Sequence, residues 1–208
     1  MTTFFSTDID DRGAEQFQVI AADPPWQEPG GCDRGADDHY ETLDREDILA
    51  TMVKSPLWMP AKNSHLYLWS TMTSLPDGLW LMGALGFTYK THVPWVKSDG
   101  QLDLAGQLKL TIGLGQYFRG AHELVLLGTR GKGFAVRTDA KNIPSVIIAP
   151  VPRENGKRVH SAKPDKFYEL VEARSAGRKL EMFSRRTRPG WVAWGDQVGS
   201  LDQEQKQV

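Results

Sequence analysis

The stretch Val19-Ile20-Ala21-Ala22-Asp23-Pro24-Pro25-Trp26 decides how the rest of the chain is read. Four small or branched apolar residues run into a carboxylate and two prolines. A short apolar run closed by turn residues reads as a buried strand that stops abruptly. A residue before proline is pushed out of the helical region, so Asp23 and Pro24 are both held extended. Proline also fixes its own φ and offers no N–H. The result is a stiff corner at a strand end, with one carboxylate and backbone carbonyls as acceptors. In open α/β sheets ligands bind outside the carboxyl ends of the strands.

An acceptor-only corner suits a group that offers two hydrogens from one nitrogen, such as the exocyclic amine of adenine or cytosine. The Asp23 carboxylate and Pro24 carbonyl would take both hydrogens and favour a more pyramidal, more nucleophilic nitrogen, and Trp26 would offer a flat face for the base. The competing reading is structural: a strand ending in a proline-rich turn over a buried tryptophan.

Outward from this corner the chain alternates strands and helices. Gln18–Ala22 is the first strand, and residues 27–39 form a long polar loop with three glycines. Long loops inside compact domains are often functional. A helix follows over Thr42–Met52, its start capped by Thr42 or by Asp44 with Asp47. Further strands are expected at 64–70, 87–97 (where Pro94 marks an edge, bulge or interruption), 121–128, 145–149, 179–183 and 191–194. Ser74–Leu85 reads as a helix with Pro76 in its first turn and Gly86 at its end. Lys163–Ser175 is the clearest helix, with Pro164 in its first turn and Gly177 beyond it. Residues 98–118 read as a mobile loop that orders on binding, and 150–161 as a basic loop. This pattern predicts a three-layer α/β fold with a mostly parallel sheet of seven to eight strands.

The 208-residue length fits one domain, expected over residues 17–199, with a peripheral segment 1–16 and a disordered tail 200–208. The single cysteine, Cys32, excludes an intramolecular disulfide and fits a reducing cytosol. The opening MTTFFSTDIDDRG is acidic and lacks a signal peptide's basic start and apolar core, so a cytoplasmic location is expected. The net charge of −1 hides an asymmetry. Residues 1–50 carry 3 basic against 13 acidic side chains, whereas residues 119–163 carry 9 basic against 3 acidic. The basic stretch, starting at Arg119, points to a polyanion such as nucleic acid.

Several other residues read as structural. Trp191, Trp194, Phe167 and Tyr168 fit packing positions. His65 and His92 read as structural, and His122 and His160 lack metal-ligand spacing, so no metal is expected. Gly113, Gly115 and Gly120 do not join a strand to a helix as a phosphate loop does. Glu181, within a strand, needs a partner if buried.

Six stretches then match one family in order: DPPW, HYETL with a following helix, PWVK, GQYFRGAHELVLLGTRG, HSAKPDKFYELVE and KLEMFSRRTRPGWVAWGDQ. Over residues 18 to 197 the chain resembles the MT-A-type adenine methyltransferases, named for the seventy-kilodalton subunit of the messenger-RNA adenosine methyltransferase, and in particular its bacterial and phage-like members. DPPW alone is moderately specific; the full set is very specific.

The resemblance implies a Rossmann-like methyltransferase fold with permuted motif order, the catalytic DPPW preceding the cofactor half. It implies S-adenosylmethionine as methyl donor and the 6-amino group of adenine as acceptor. Asp23, Pro24, Pro25 and Trp26 match the catalytic motif. Tyr40, Trp95, Lys97 and Glu123 match substrate-side positions, and Arg119 falls among them. Lys163 matches the lysine that reaches the cofactor's carboxylate end. Glu181, Phe183 and Arg185 match the stretch lining the cofactor, and Asp196 and Gln197 stand near its adenosine. Where eukaryotic members carry a His-Asn turn this chain has Arg186-Thr187-Arg188, so the ribose contact falls to Thr187 or Arg188. Asp196 in place of asparagine accepts but does not donate. Asp8, Asp10 and Asp11 are candidates for the cofactor-adenine aspartate. DNA is the expected substrate. RNA, a catalytically silent nucleic-acid-binding partner subunit, and a small-molecule amine methyltransferase are the alternatives. A homodimer or a partner subunit is compatible with the family.

Overall fold

A computed structural model describes residues 5–6, 16–27, 42–113, 115, 117–159 and 161–200. In chain order the elements are β1 (Phe5–Ser6), β2 (Phe17–Ala22), α1 (Arg45–Lys54), β3 (Pro60–Ser70), α2 (Leu75–Ala84), β4 (Thr88–Lys97), β5 (His122–Arg130), β6 (Ile147–Ala149), β7 (Arg153–Glu154), β8 (Lys157–Arg158), α3 (Asp165–Arg174), β9 (Lys179–Met182) and β10 (Trp191–Gly195). A short 3₁₀ turn covers Gly133–Val136.

Eight strands form one sheet in the order β1-β10-β9-β2-β3-β5-β4-β6. β10, β9, β2 and β3 are parallel neighbours. β5 runs against both β3 and β4, while β6 is parallel to β4. β2 is central, with β3 on one side and β9 on the other. From β2 the chain crosses through α1 to β3, whereas β9 and β10 build the other wing. The carboxyl end of β2 is therefore the point where the strand order reverses, and it carries Asp23.

The alternation of side chains along β2 explains the three layers. Ile20 and Ala22 face α1 and α2, packing with Ile48, Met52, Leu81 and Met82. Val19 and Ala21 face α3, packing with Phe167 and Val171. A strand covered on both faces reads as a continuous apolar run rather than an alternating one, as the sequence does here. Phe167 and Val171 are fully buried. Each such side chain contributes roughly 1.5–3 kcal/mol.

Of the two caps available to α1, Asp44 is the one used: its carboxylate accepts from the Asp47 N–H at 2.8 Å. Such a cap contributes about 1 kcal/mol. Pro164 caps α3 from just outside rather than sitting within its first turn. Pro94 lies on β4 beside the three residues that pair with β6, where a missing N–H costs no ladder bond on that side. His65 is structural as expected, its Nε2 donating to the Gly133 carbonyl at 2.8 Å and its Nδ1 accepting from Ser175 at 2.7 Å, with Tyr67 on the same hydroxyl.

Three features depart from the sequence reading. Phe5–Ser6 pairs antiparallel with β10, so part of the expected peripheral segment is an edge strand. The expected loop 150–161 contains a two-residue hairpin, β7–β8, turned by Asn155 (φ 48°) and Gly156 (φ 78°). Asn-Gly with both φ values positive is the turn that matches strand twist. The third departure concerns the basic stretch 119–163, which is not one patch. Because β5 runs against β3, Arg119 lies at the carboxyl ends of the parallel strands, and Arg130, paired to Ser64 at the start of β3, lies at the opposite end. Nine residues of β5 separate the two groups by roughly 27 Å.

Candidate active site

Four charged side chains meet at the carboxyl ends of β2 and β4, the amino end of β5 and the approach to α3. The Lys163 Nζ lies 3.1 Å from Asp23 Oδ2 and 3.0 Å from Glu123 Oε2. Lys97 Nζ sits 2.7 Å from the other Glu123 oxygen, Oε1. Glu123 is opposite Trp95 in the β4–β5 ladder, which brings Lys97, two residues further on, to its side. Asp23, Glu123 and Lys163 come from three distant segments, and the reversed β5 is what delivers Glu123 to this end of the sheet.

Burial and pairing pull these groups in opposite directions. For Asp23 burial dominates and pushes its carboxyl above the usual 3.8 despite Lys163. Burial also pushes Glu123 up, but Lys163 and Lys97 outweigh it and hold the carboxyl at about 2. Lys163 is raised, since Asp23 and Glu123 together outweigh the burial that would lower it. Lys163 therefore stays charged, its side chain only 10% exposed, with Trp69 4.9 Å beneath the ammonium. Asp23 keeps 28% of its side chain open.

The DPPW corner is built as a hydrogen-bonded bracket. The Trp26 N–H donates to the Pro24 carbonyl at 2.9 Å, the Leu43 N–H donates to the Pro25 carbonyl at 2.8 Å, and the Asp23 N–H points at the Met182 carbonyl at 3.4 Å. The Pro25 carbonyl therefore serves the scaffold. The Pro24 carbonyl is also engaged, but a carbonyl carries two acceptor sites. Trp26 is buried, and its indole N–H donates to the Trp69 carbonyl at 2.9 Å. Of the two readings of this tryptophan the structural one fits: its ring packs beneath the corner. Trp95, a substrate-side position by resemblance, is also packed into the core, 1% exposed with its indole N–H on the Ala149 carbonyl at 2.9 Å.

Glu181 does not present itself to a ligand. It is buried, accepting from the Tyr168 hydroxyl at 2.5 Å through one oxygen and from the Ser184 hydroxyl at 3.0 Å through the other. The partner that sequence reasoning required for it is thus supplied by the protein, and burial raises its carboxyl and, even more strongly, the Tyr168 hydroxyl. Tyr168 is in turn stacked by Arg188, whose guanidinium lies 3.7 Å from the ring centroid.

Around this core the β9–β10 loop closes one wall. Phe183 follows β9 with φ 61°, an uncommon conformation for an aromatic residue, and packs edge-on against Trp194. Gly195 permits the close approach of this loop: a side chain there would meet the Ser184 backbone at 3.0 Å. Arg185 lies near enough to lower the Asp23 carboxyl slightly. Thr187 and Asp196 are exposed, and Gln197 is half-buried. Arg119 is exposed and donates to the Gly113 carbonyl at 2.7 Å. Tyr40, most of the 27–39 loop, Cys32, His160, Asp8, Asp10 and Asp11 lie outside the described residues. Among the described residues no cluster of three His, Cys, Asp or Glu stands in metal-binding geometry.

Two contacts were not anticipated. Arg186 pairs with Glu154, tying the β7–β8 hairpin to the β9–β10 loop. Arg188 pairs with Asp165 at 2.9 Å, tying that loop to the start of α3. The sequence signal for the first was the Asn155-Gly156 turn. For the second it was the carboxylate in the first turn of α3.

Side by side, Asp23 and Lys163 offer an anion and a cation, the complement of an α-amino-acid zwitterion. They do so at the switch point of a mostly parallel sheet, which defines an α/β protein with a methyltransferase-like fold. The chain belongs to the MT-A70 family, whose profile matches residues 17–197. It is 28% identical over 191 residues to the N(6)-adenosine-methyltransferase catalytic subunit METTL3 of Homo sapiens, covering 89% of this chain and 29% of that protein. The N(6)-adenosine-methyltransferase MT-A70-like protein of Drosophila melanogaster is 27% identical over 191 residues, 89% of this chain and 28% of its own length. The type II methyltransferase M.MunI of Mycoplasma sp is 26% identical over 204 residues, 88% of this chain and 78% of its own. The chain thus spans less than a third of those eukaryotic relatives.

Proposed function

We propose that this protein transfers a methyl group from S-adenosylmethionine to the 6-amino group of adenine in DNA. The observation that carries this reading is the Asp23–Lys163 ion pair on a rigid corner at the switch point, with Glu123 and Lys97 behind it. Lys163 would hold the donor's methionine carboxylate and Asp23 its ammonium. Phe183, Arg185, Thr187, Asp196 and Gln197 stand along the β9–β10 wall, where the rest of the donor would lie. When bound, S-adenosylmethionine supplies an electrophilic methyl group on a sulfonium.

The residues of the chain do the remaining work. The Asp23 carboxylate and the second acceptor site of the Pro24 carbonyl take the two hydrogens of the adenine amine. Glu123, held ionised by two lysines, stands ready to orient the base. As the amine nitrogen bonds the methyl carbon, the carbon–sulfur bond would break and its electron pair would stay on sulfur as a neutral thioether. The methylated nitrogen is then an acidic cation, whose proton passes to Asp23 or water without a strong base. Positioning of this kind contributes up to roughly 7–11 kcal/mol in favourable cases. Extruding the base from a duplex costs a few kcal/mol, and less from a single strand.

DNA is favoured because the type II methyltransferase is matched over 78% of its own length. RNA is the second reading, favoured by the adenosine named for the eukaryotic relatives. The test is calorimetric titration with S-adenosylmethionine, followed by labelled methyl transfer to DNA and RNA oligonucleotides of one sequence. Donor binding and label in DNA adenine are expected. Label confined to RNA selects the second reading, and absence of donor binding removes both.

A further inference from the structure

The cations at the opposite end of the sheet are not used by the site at Asp23. There the chain turns through Arg130 to Lys141, with four cations, Arg130, Lys132, Arg137 and Lys141, against the single carboxylate of Asp139. Phe134, Arg137, Thr138, Asp139, Ala140 and Lys141 line an open cleft of about 280 Å³. Phe134 is 80% exposed, an unusual position for a phenyl ring, and the Arg137 guanidinium lies 4.9 Å from its centroid.

This cleft is rigidly mounted. The Thr138 N–H donates to the Arg174 carbonyl at 3.0 Å, the Thr138 hydroxyl donates to the Ala173 carbonyl, and the Ala176 N–H donates to the Val136 carbonyl at 2.8 Å. The two Thr138 contacts occupy carbonyls at the carboxyl end of α3, whose partial negative charge would otherwise oppose an anion. Arg174 donates one terminal nitrogen, Nη2, to the Ala140 carbonyl at 3.0 Å. Its other, Nη1, is buried and has no hydrogen-bond partner among the described residues.

An exposed aromatic ring beside guanidinium and ammonium groups is the combination that stacks a base and neutralises phosphates. We propose that the cleft formed by Phe134, Arg137 and Lys141 is a second nucleic-acid contact, gripping the backbone and one unpaired base of the same polynucleotide whose adenine enters at Asp23. This rests on the proposed function for the identity of the polyanion. The two ends of β5 are roughly 27 Å apart, a span of about eight steps at 3.4 Å per step. A strand of about six nucleotides therefore fills one contact, whereas one of about twenty-five reaches both.

The test is fluorescence anisotropy with labelled single strands of those two lengths, over a salt series, for the wild type, Arg137→Ala/Lys141→Ala and Phe134→Ala. Losing two phosphate contacts on single strands lowers the slope of log affinity against log salt by about 1.4. The double variant is expected to bind the long strand about tenfold more weakly at low salt, with that shallower slope. Phe134→Ala is expected to weaken the long strand about fivefold, with an unchanged slope. Short-strand and S-adenosylmethionine binding are expected to stay at wild-type values in all variants. Unchanged long-strand affinity in the variants, with normal wild-type binding, overturns the second contact and leaves the proposed function standing. Equal loss on both lengths also overturns it, as does a cleft filled by adenosine monophosphate or inorganic phosphate without competition from the long strand. A wild type that binds neither strand overturns the proposed function as well.

Discussion

Two carboxylates, one buried and one partly open, lie at the same end of neighbouring parallel strands, and they are treated in opposite ways. Glu181, on β9, accepts from Tyr168 and Ser184, one hydroxyl on each oxygen. Asp23, just beyond β2, faces an ammonium that it shares with Glu123. Burial raises both carboxyls. The Glu181 arrangement is closed, since the side chain is buried and each oxygen already faces a neutral hydroxyl of the core. The Asp23 arrangement is open: a zwitterion can insert between anion and cation and give each a new partner. A carboxylate available for chemistry is thus recognised less by its burial than by whether a charged ligand can replace what holds it.

The comparison can be broken by substitution. Asp23→Ala is expected to lower kcat by at least about 10³-fold, towards the upper range for a positioned proton-accepting group, with the melting temperature little changed. Lys163→Met is expected to lower kcat/KM about 10²-fold, mostly through donor affinity, and to move the acid limb of the pH–rate profile upward, because Asp23 loses its main counter-charge. Glu181→Gln is expected to show the reverse pattern. Its amide nitrogen would face a hydroxyl donor, costing about 1–3 kcal/mol of stability in thermal unfolding, while kcat changes only a few-fold. Loss of activity there at unchanged stability would erase the distinction.

Two smaller effects sharpen it. Glu123 raises the Asp23 carboxyl, so Glu123→Gln is expected to shift the acid limb of the remaining activity to lower pH. Glu123 itself is held at about 2 against an ordinary 4.5. A depressed folded value stabilises fully above the unfolded one, so its contribution is expected to be complete above about pH 4.5 and to fade as pH falls towards 2. Acid unfolding of wild type against Glu123→Gln measures that window.

Local chemistry made much of this legible in the sequence. The apolar run before Asp23 gave β2 and its corner, Asp44 with Asp47 gave a cap, and the period of Phe167, Leu170 and Val171 gave α3. The residues gathered at the corner, Asp23, Lys97, Glu123 and Lys163, were all named from motif resemblance. Their ion pairs were not, because residues 26 or more apart meet only through strand order, and the direction of β5 leaves no mark in its composition. That same direction divided the basic stretch between two ends. Trp26 carries the composition of a stacking face, and only packing reveals that its indole N–H is spent on the Trp69 carbonyl, as that of Trp95 is on Ala149. β1 is two residues long and has no period to read.

The most direct test of the Asp23 corner is nucleoside mass spectrometry on DNA and RNA incubated with purified protein and S-adenosylmethionine, wild type beside Asp23→Ala. The account predicts N6-methyladenine in wild-type DNA digests and none from the variant, with the donor supplied in excess. Equal methylation by the variant, or methylation of a base other than adenine, would contradict it.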